Sequence, residues 1–493
     1  MNQQNKSITL GESLLPIILL ISLLSINAIV FGDQAIEGAN QFALLLAAAL
    51  GGVIALRHGK NWEDLQNGFV KSISSAMPSM LILLLIGSLA GTWMISGVVP
   101  AMIYYGLEYL NPTLFLMLSV IICAVISLVT GSSWSTIATI GVALLGVGNA
   151  MEINKALVAG AIISGAYFGD KVSPLSDTTN LAPAMAGVDL FVHIRYMMYT
   201  TIPSLIITLL LFLGIGFFKH GEIHPEGIRS VQLAIKESFH ISPWLFLVPA
   251  LLFFIISKKV PALPAIFAGT LIGGVFAIIF QPQIIHQLSG SESYLQASYQ
   301  TVMKSIFTDI SIPVANDNIK DLLSTGGMAG MLNTIWLILT AMVFSGILEA
   351  AGILEKITET MLIAVHSTGS LVSTTVASCG FLNLTASDQY ISIVVTGRMF
   401  SKSYQEQNLK PEVLSRTLED AGTVTSVLVP WNTCGAAQAG ALGVATVAFA
   451  PYCFFNIISP IMSITIAYLD IKIRKLTDPE TRVVIPEKEV LNQ

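Results

Sequence analysis

The stretch 168–187 limits what this chain can fold into more than any other. It follows a half-length apolar run, 156–167, and precedes a full-length one, 196–218. Yet it carries Asp170, Lys171 and Asp177, the hydroxyls of Ser173, Ser176, Thr178 and Thr179, the amide of Asn180, and the helix breakers Pro174, Pro183 and Gly187. Polar, irregular backbone at membrane depth is stable only where protein or a wet cavity surrounds it, because lipid offers no hydrogen-bond partners. Ionisable side chains there are costly and usually functional. The alternative is an aqueous loop between two helices. Against it, the preceding run is too short to cross alone, and small apolar residues separate the polar ones.

Hydrophobic residues fill 54% of the 493 positions and charged ones only 11%, against about 25% charged in soluble domains. The fold class expected is therefore an all-α polytopic membrane protein. Apolar windows of up to about 20 residues recur from 13–31 to 449–471, several too short or too broken by Gly, Ser, Thr and Pro to be plain spans. The segments 112–150 and 368–400 each read as two half-length helices around a polar tip, at 130–136 and 385–389, and so as re-entrant hairpins. About ten full crossings plus these two hairpins are expected. The 32–40 loop is acidic, while Arg57, His58, Lys60 and Lys71 follow the second helix and Lys472, Arg474 and Lys475 follow the last. The positive-inside rule then makes both termini cytoplasmic. It also puts Arg398, Lys402, Lys410 and Arg416 in a basic cytoplasmic loop and 219–242 outside. Treating the hairpins as ordinary paired spans preserves the same sidedness.

An offset of 256 residues sets Pro174 on Pro430, Gly187 on Gly443 and Tyr196 on Tyr452, with Ser176 against Asn432 and Asp177 against Thr433. An offset of 255 sets Thr130 on Thr385, Ser132 on Ser387 and Ser133 on Asp388. Two polar breaks in one half thus meet two in the other. An odd number of crossings per half makes these two inverted structural repeats with broken helices, an architecture in which secondary transporters hold substrate and coupling ion near the midplane. The domains expected are a first transmembrane repeat at 1–218, an extracytoplasmic linker at 219–242, a second repeat at 243–475 and a cytoplasmic tail at 476–493.

The stretches Thr-Gly-Ser-Ser-Trp-Ser-Thr at 130–136, Gly-Ala-Ile-Ile-Ser-Gly-Ala-Tyr-Phe-Gly-Asp-Lys-Val-Ser-Pro-Leu-Ser-Asp-Thr-Thr-Asn at 160–180, and Val-Pro-Trp-Asn-Thr at 429–433 resemble the NhaC family of bacterial sodium/proton antiporters. The second is long and specific, and the resemblance spans roughly 10–475. It implies a multi-pass protein of the bacterial plasma membrane that exchanges external protons for cytoplasmic sodium. The same family is associated with antiport of organic anions such as malate against lactate, so substrate stays open. No family pattern matches the 281–325 loop or the 219–240 linker.

Sodium needs hard oxygen donors, which half-helix ends and unwound backbone supply in membranes. The first tip offers Ser132, Ser133 and Thr136, and the first break Ser173, Ser176, Asp177, Thr178, Thr179 and Asn180. The second tip offers Thr385, Ser387 and Asp388, and the second break Asn432 and Thr433. A lone Ser or Thr more often bonds helix to helix; concentration at four matched places favours an ion site for the set. Exchange against protons needs a carboxylate that takes either ion. Asp177 and Asp388, inside a break and a tip, come first; Asp170 and Asp420, upstream of the breaks, come next. Lys171 reads as an ion-pair partner of Asp170 or as functional. Asp189, His193 and Arg195 read as interfacial anchors, Asp309, Asp317 and Asp321 as solvated, and Trp134 and Trp431 as packing or gating residues.

The four cysteines are scattered and read as packing residues. The seven histidines, His58, His193, His220, His224, His240, His286 and His366, show no ligand spacing. No cofactor is expected beyond transported sodium. The partners expected are sodium ions, protons and the bilayer, with a homodimer allowed and nucleic acid excluded by sparse, dispersed Lys and Arg. Nothing argues for a soluble enzyme. The rival to sodium/proton exchange is a carrier of organic anions or amino acids. A clamping arginine would mark it, and none lies in the four constellations. A passive channel suits paired hairpins less well than alternating access does.

Overall fold

The structure is a computed structural model describing residues 8–218, 225–313, 320 and 322–476. Asp317, Asp321, His220, His224 and tail residues 477–493 lie outside the described residues. Among the described residues, regular structure is helical apart from one antiparallel pair of two-residue strands, β1 (Ile310–Ser311) and β2 (Ser324–Thr325), with Ile310 opposite Thr325.

The first half comprises α1 (Leu10–Phe31), α2 (Ala39–Arg57), α3 (Trp62–Ile95), α4 (Val98–Tyr109), α5 (Phe115–Thr130), α6 (Ser133–Ala150), α7 (Lys155–Val172), α8 (Asp177–Ala186) and α9 (Leu190–Phe218). Then come α10 (Pro225–Ser238), α11 (Leu247–Ser257), α12 (Ala262–Phe280), α13 (Pro282–Ser289) and α14 (Tyr294–Phe307). The second half comprises α15 (Leu332–Ala351), α16 (Ile353–Met361), α17 (Thr368–Thr385), α18 (Gln389–Glu406), α19 (Pro411–Leu418), α20 (Thr433–Leu442), α21 (Thr446–Phe449) and α22 (Phe454–Tyr468). Helix α19 runs on into a π turn, Glu419–Thr423.

Among the described residues, seven helices are long and apolar enough to cross a membrane, or up to nine if each of two sharply bent pairs is one span. A helix satisfies its own backbone in lipid, so these runs of Leu, Ile, Val and Ala stay helical even around Pro16, Pro78 and Pro203. Helices α1 and α9 leave wide apolar faces uncovered, with Ile29, Leu210 and Phe217 exposed. A multi-pass membrane protein results.

The interior holds α5 and α7 unusually close. Any side chain at Gly165 or Gly169 would run into the carbonyl oxygens of Val120 and Ala124, the small-xxx-small device that lets membrane helices touch backbone to backbone. Ser127 Oγ locks the contact by donating to the Ala166 carbonyl at 2.6 Å.

The order hairpin, helix, break, helix occurs twice, with matching turn chemistry at the 256 offset. Gly131 and Ser387 turn the two tips in the left-handed region, at φ 67° and 58°. Ser132 and Asp388 then cap α6 and α18, Ser176 and Asn432 cap α8 and α20, and Gly187 and Gly443 end those helices at φ 74° and 63°. Ser and Asn accept the first free N–H groups of a helix, and glycine takes the left-handed exit. The caps place Ser132, rather than Ser133, opposite Asp388.

Two expectations change here. The break is narrower than 168–187: α7 continues through Asp170 and Lys171 to Val172. Thr179 Oγ1 lies 3.1 and 3.0 Å from the Asp170 and Lys171 carbonyls, satisfying part of the helix end. Arg416 is not in a solvated loop. It is fully buried in α19, 4.7 Å from the Tyr196 ring, because α9, α17 and α18 pack around that helix. The chain after α22 straps this region. Lys410 N donates to Arg474 O, Leu476 N to Asn408 O and Tyr196 OH to Lys472 O at 2.9–3.0 Å, and Arg474 pairs with Glu412 at 3.1 Å.

Candidate functional site

Four helix starts converge. Helices α6, α8, α18 and α20 begin at Ser133, Asp177, Gln389 and Thr433, and each is capped by the side chain before it. Ser132 Oγ accepts from Ser135 N at 3.2 Å, Ser176 Oγ from Thr179 N at 3.4 Å, Asp388 Oδ1 from Tyr390 N at 2.8 Å and Asn432 Oδ1 from Cys434 N at 3.0 Å. A cavity of about 420 Å³ lies against all four starts. Its walls include Ser132, Asp170, Ser176, Asp177, Thr178, Gln389, Tyr390 and Thr433, with Trp134 on one side and Lys259 on another. A second cavity of about 300 Å³ lies at the far ends of α6 and α20, bordered by Leu145, Asn149, Lys155 and Gly443.

Two carboxylates face the larger cavity. Asp177 is exposed to it at the first turn of α8. Asp170 is held from the side: its Oδ2 accepts from Ser133 Oγ at 2.6 Å and Ser133 N at 3.1 Å. One tip thus grips the helix leading into one break, and the start of α6 favours a negative group there.

Successive helix residues point about 100° apart, so Lys171 faces away from Asp170. Its Nζ pairs with Asp420 Oδ1 and donates to Ser459 Oγ at 2.8 Å. Thr200 and Ser459 also donate to that Asp420 oxygen, at 3.1 and 3.2 Å. The ion pair expected between Lys171 and Asp170 is therefore replaced by one across the two halves. Asp420 does not border the cavity.

Asp388 is buried. It caps α18, and its Oδ2 accepts from Thr433 Oγ1 at 3.4 Å, while Thr433 N donates to Ser387 O at 2.9 Å. Second tip and second break are thereby joined, and the residues flanking this junction, Gln389 and Thr433, border the cavity where Asp388 does not. Several predicted donors bond backbone instead. Ser173 reaches Leu128 O at 2.8 Å, Thr136 reaches Ser132 O at 2.9 Å, Thr385 reaches Phe381 O at 2.8 Å, and Asn180 reaches Pro174 O and Ser176 O at 3.0 and 2.7 Å. They shape the tips and the first break. Ser387 Oγ is buried without a hydrogen-bond partner in the structure.

Glu419 escaped the sequence reading. It is fully buried in the π turn of α19, and Thr178 Oγ1 donates to its Oε1 at 3.1 Å, so it backs the cavity wall. Its signal was the acidic pair Glu419-Asp420, set where the charged run 411–420 meets the largely apolar run 421–430. His193 is no interfacial anchor either: it is fully buried, with Nδ1 2.9 Å from Ser415 Oγ, because the start of α9 packs on α19. Asp189 starts α9 by accepting from Phe191 N at 2.9 Å, and Arg195 is exposed. Trp431 Nε1 donates to Leu384 O at 2.7 Å, whereas Trp336 is exposed. Among the described residues no three His, Cys, Asp or Glu side chains are grouped to hold a resident metal.

Residues 165–471 match the Na+/H+ antiporter family. The chain is 36% identical over 430 residues to the malate-2H(+)/Na(+)-lactate antiporter of Bacillus subtilis, spanning 87% of this chain and 89% of that one. It is 35% identical over 427 residues to the Na(+)/H(+) antiporter NhaC of the same organism, spanning 86% and 91%. To the arginine/ornithine antiporter ArcD of Halobacterium salinarum it is 34% identical over 474 residues, spanning 95% and 94%.

Proposed function

The chain belongs to the Na+/H+ antiporter family, and on that footing we propose that it exports cytoplasmic sodium in exchange for external protons. The observation that carries this reading is the cavity itself, where Asp170 and Asp177 stand among the hydroxyls of Ser132, Ser176, Thr178 and Thr433. Hard oxygens of this kind suit sodium. A carboxylate among them holds sodium or a proton but not both at full strength, so the two fluxes are coupled through one site. Asp388, behind the Gln389–Thr433 wall, is a further acid of the mechanism.

The topology goes with it: two inverted repeats, about ten crossings plus two re-entrant hairpins, both termini cytoplasmic, in the plasma membrane of a bacterium. The recurring caps at one offset support the repeats, and Lys259 at the cavity rim supports its opening to the cytoplasm. Proteoliposomes with an acid interior test the exchange. External sodium should collapse the pH gradient with no organic solute present, and apparent sodium affinity should fall as pH drops.

A second reading, antiport of organic anions or amino acids, is favoured by one feature. Four helix starts aim backbone N–H groups and their positive ends at the cavity, which can bind a carboxylate without arginine. Alkalinisation that occurs only when malate, lactate, arginine or ornithine is supplied would establish that reading and refute sodium/proton exchange.

A further inference from the structure

Asp420 has two buried cations beside it and fully engages one. Its Oδ1 takes Lys171, Thr200 and Ser459, whereas its Oδ2 accepts no hydrogen bond and faces Arg416 Nε at 4.0 Å. Arg416 is fully buried, and none of its three guanidinium nitrogens makes a hydrogen bond in the structure. Its plane lies over Tyr196 at 4.7 Å, which offsets only part of the cost of withdrawing such a group from water. An arginine fork matches a carboxylate in two-point geometry, so the arrangement is one step short of a full pair.

The means of taking that step lies in the same turn. Glu419 and Asp420 sit on the π turn Glu419–Thr423, where the helix holds a residue more than the α-helical repeat allows, a feature frequent at functional sites. Shifting the helix by one residue turns a side chain by about 100°, enough to carry a carboxylate from one neighbour to another. Lys171 adjoins Asp170, which is fixed at the cavity by Ser133. The end of α7 therefore touches the cavity through Asp170 and the buried ion pair through Lys171.

We propose that Lys171 and Arg416 are positioning residues for exchange that share Asp420 in turn. The carboxylate holds Lys171 in the conformation described here and passes to Arg416 when the transporter opens to the other side. This rests on exchange through the cavity described above but not on which solute is exchanged.

The test uses the full chain in detergent, with Cys123, Cys379, Cys434 and Cys453 replaced and one reporter thiol at a time. Val260→Cys borders the larger cavity and Leu145→Cys the one at the far ends of α6 and α20. Arg416→Gln removes the alternative partner, so the Val260→Cys thiol should react at least as fast as in the parent while the Leu145→Cys thiol slows about tenfold or more, the ratio expected when one state alone loses a charged hydrogen bond. Lys171→Gln should move both reporters the opposite way. Where Arg416→Gln does not fold, Arg416→Lys keeps the charge with a shorter reach, and should shift both reporters as glutamine does, by less. A purely structural role predicts equal shifts in the same direction, or none, for Lys171 and Arg416 variants in folded protein; either result overturns the proposal. Opposed shifts in a protein that moves no sodium would leave it standing and overturn sodium/proton exchange.

Discussion

Replacing Asp420 by asparagine separates a shared counter-ion from an ordinary salt bridge. The amide keeps the shape of the side chain and an acceptor for Thr200 and Ser459, but it leaves Lys171 and Arg416, both fully buried, with no negative partner at that position. Stranding a buried charge by removing its partner costs about 3–5 kcal/mol, so Asp420→Asn should lower the free energy of unfolding by that much. The reverse substitution, Lys171→Met, is milder. Asp420 would keep the hydroxyls of Thr200 and Ser459 and would still have Arg416 at 4.0 Å, losing roughly one charged hydrogen bond, about 1.5–3 kcal/mol. The double variant should regain part of the Asp420→Asn loss but not all of it, because Arg416 remains. Equilibrium unfolding of purified protein in mixed micelles, read by tryptophan fluorescence, measures all three. If Lys171→Met costs as much as Asp420→Asn, Asp420 serves Lys171 alone and the shared-carboxylate argument is wrong.

Three further outcomes are expected. Asp177→Asn and Asp388→Asn should each abolish sodium-driven proton movement in proteoliposomes while the protein still inserts and purifies, since Asp177 is exposed to the cavity and asparagine at 388 caps α18 about as well as aspartate; Asp189→Asn, which only starts α9, should retain it. Ser133→Ala removes the 2.6 Å bond that aims Asp170 at the cavity, and should weaken apparent sodium affinity about tenfold or more, with Ser133→Thr restoring most of it. In a cysteine-free chain, single cysteines at 285–300 should react with an impermeant thiol reagent only from outside and those at 402–408 only from inside; the reverse would refute the proposed topology.

Tips and breaks were legible because their chemistry is local. A polar side chain that can cap a helix, followed by a helix-forming run, announces a start wherever it occurs, and the four caps Ser132, Ser176, Asp388 and Asn432 obey that rule at matched positions. What the side chains face was less legible. Asp170 and Lys171 are neighbours in sequence, yet helical rotation sends one to the cavity and the other to Asp420. The run 411–420, with Pro411, Glu412, Arg416, Glu419 and Asp420, has the charge density of a solvated loop. It is buried only because α9, α17, α18 and the strap meet around it, contacts separated by tens to hundreds of residues. For the same reason the burial of Glu419 and of His193 has no mark in the local sequence.

The strap after α22 bears on how this protein can be handled. Through Lys410 N, Leu476 N and Tyr196 OH it fastens residues 472–476 to the surface that covers Arg416 and Glu412. A chain cut before residue 472 loses three backbone-anchored bonds and the Arg474–Glu412 pair together. Water is then admitted to Tyr196 and, behind it, to a guanidinium that has no aqueous contact in the intact protein. Purification tags and fluorescent fusions therefore belong beyond residue 476, and the amides of Lys410 and Leu476 are the two whose hydrogen-exchange rates would first report a tail coming loose.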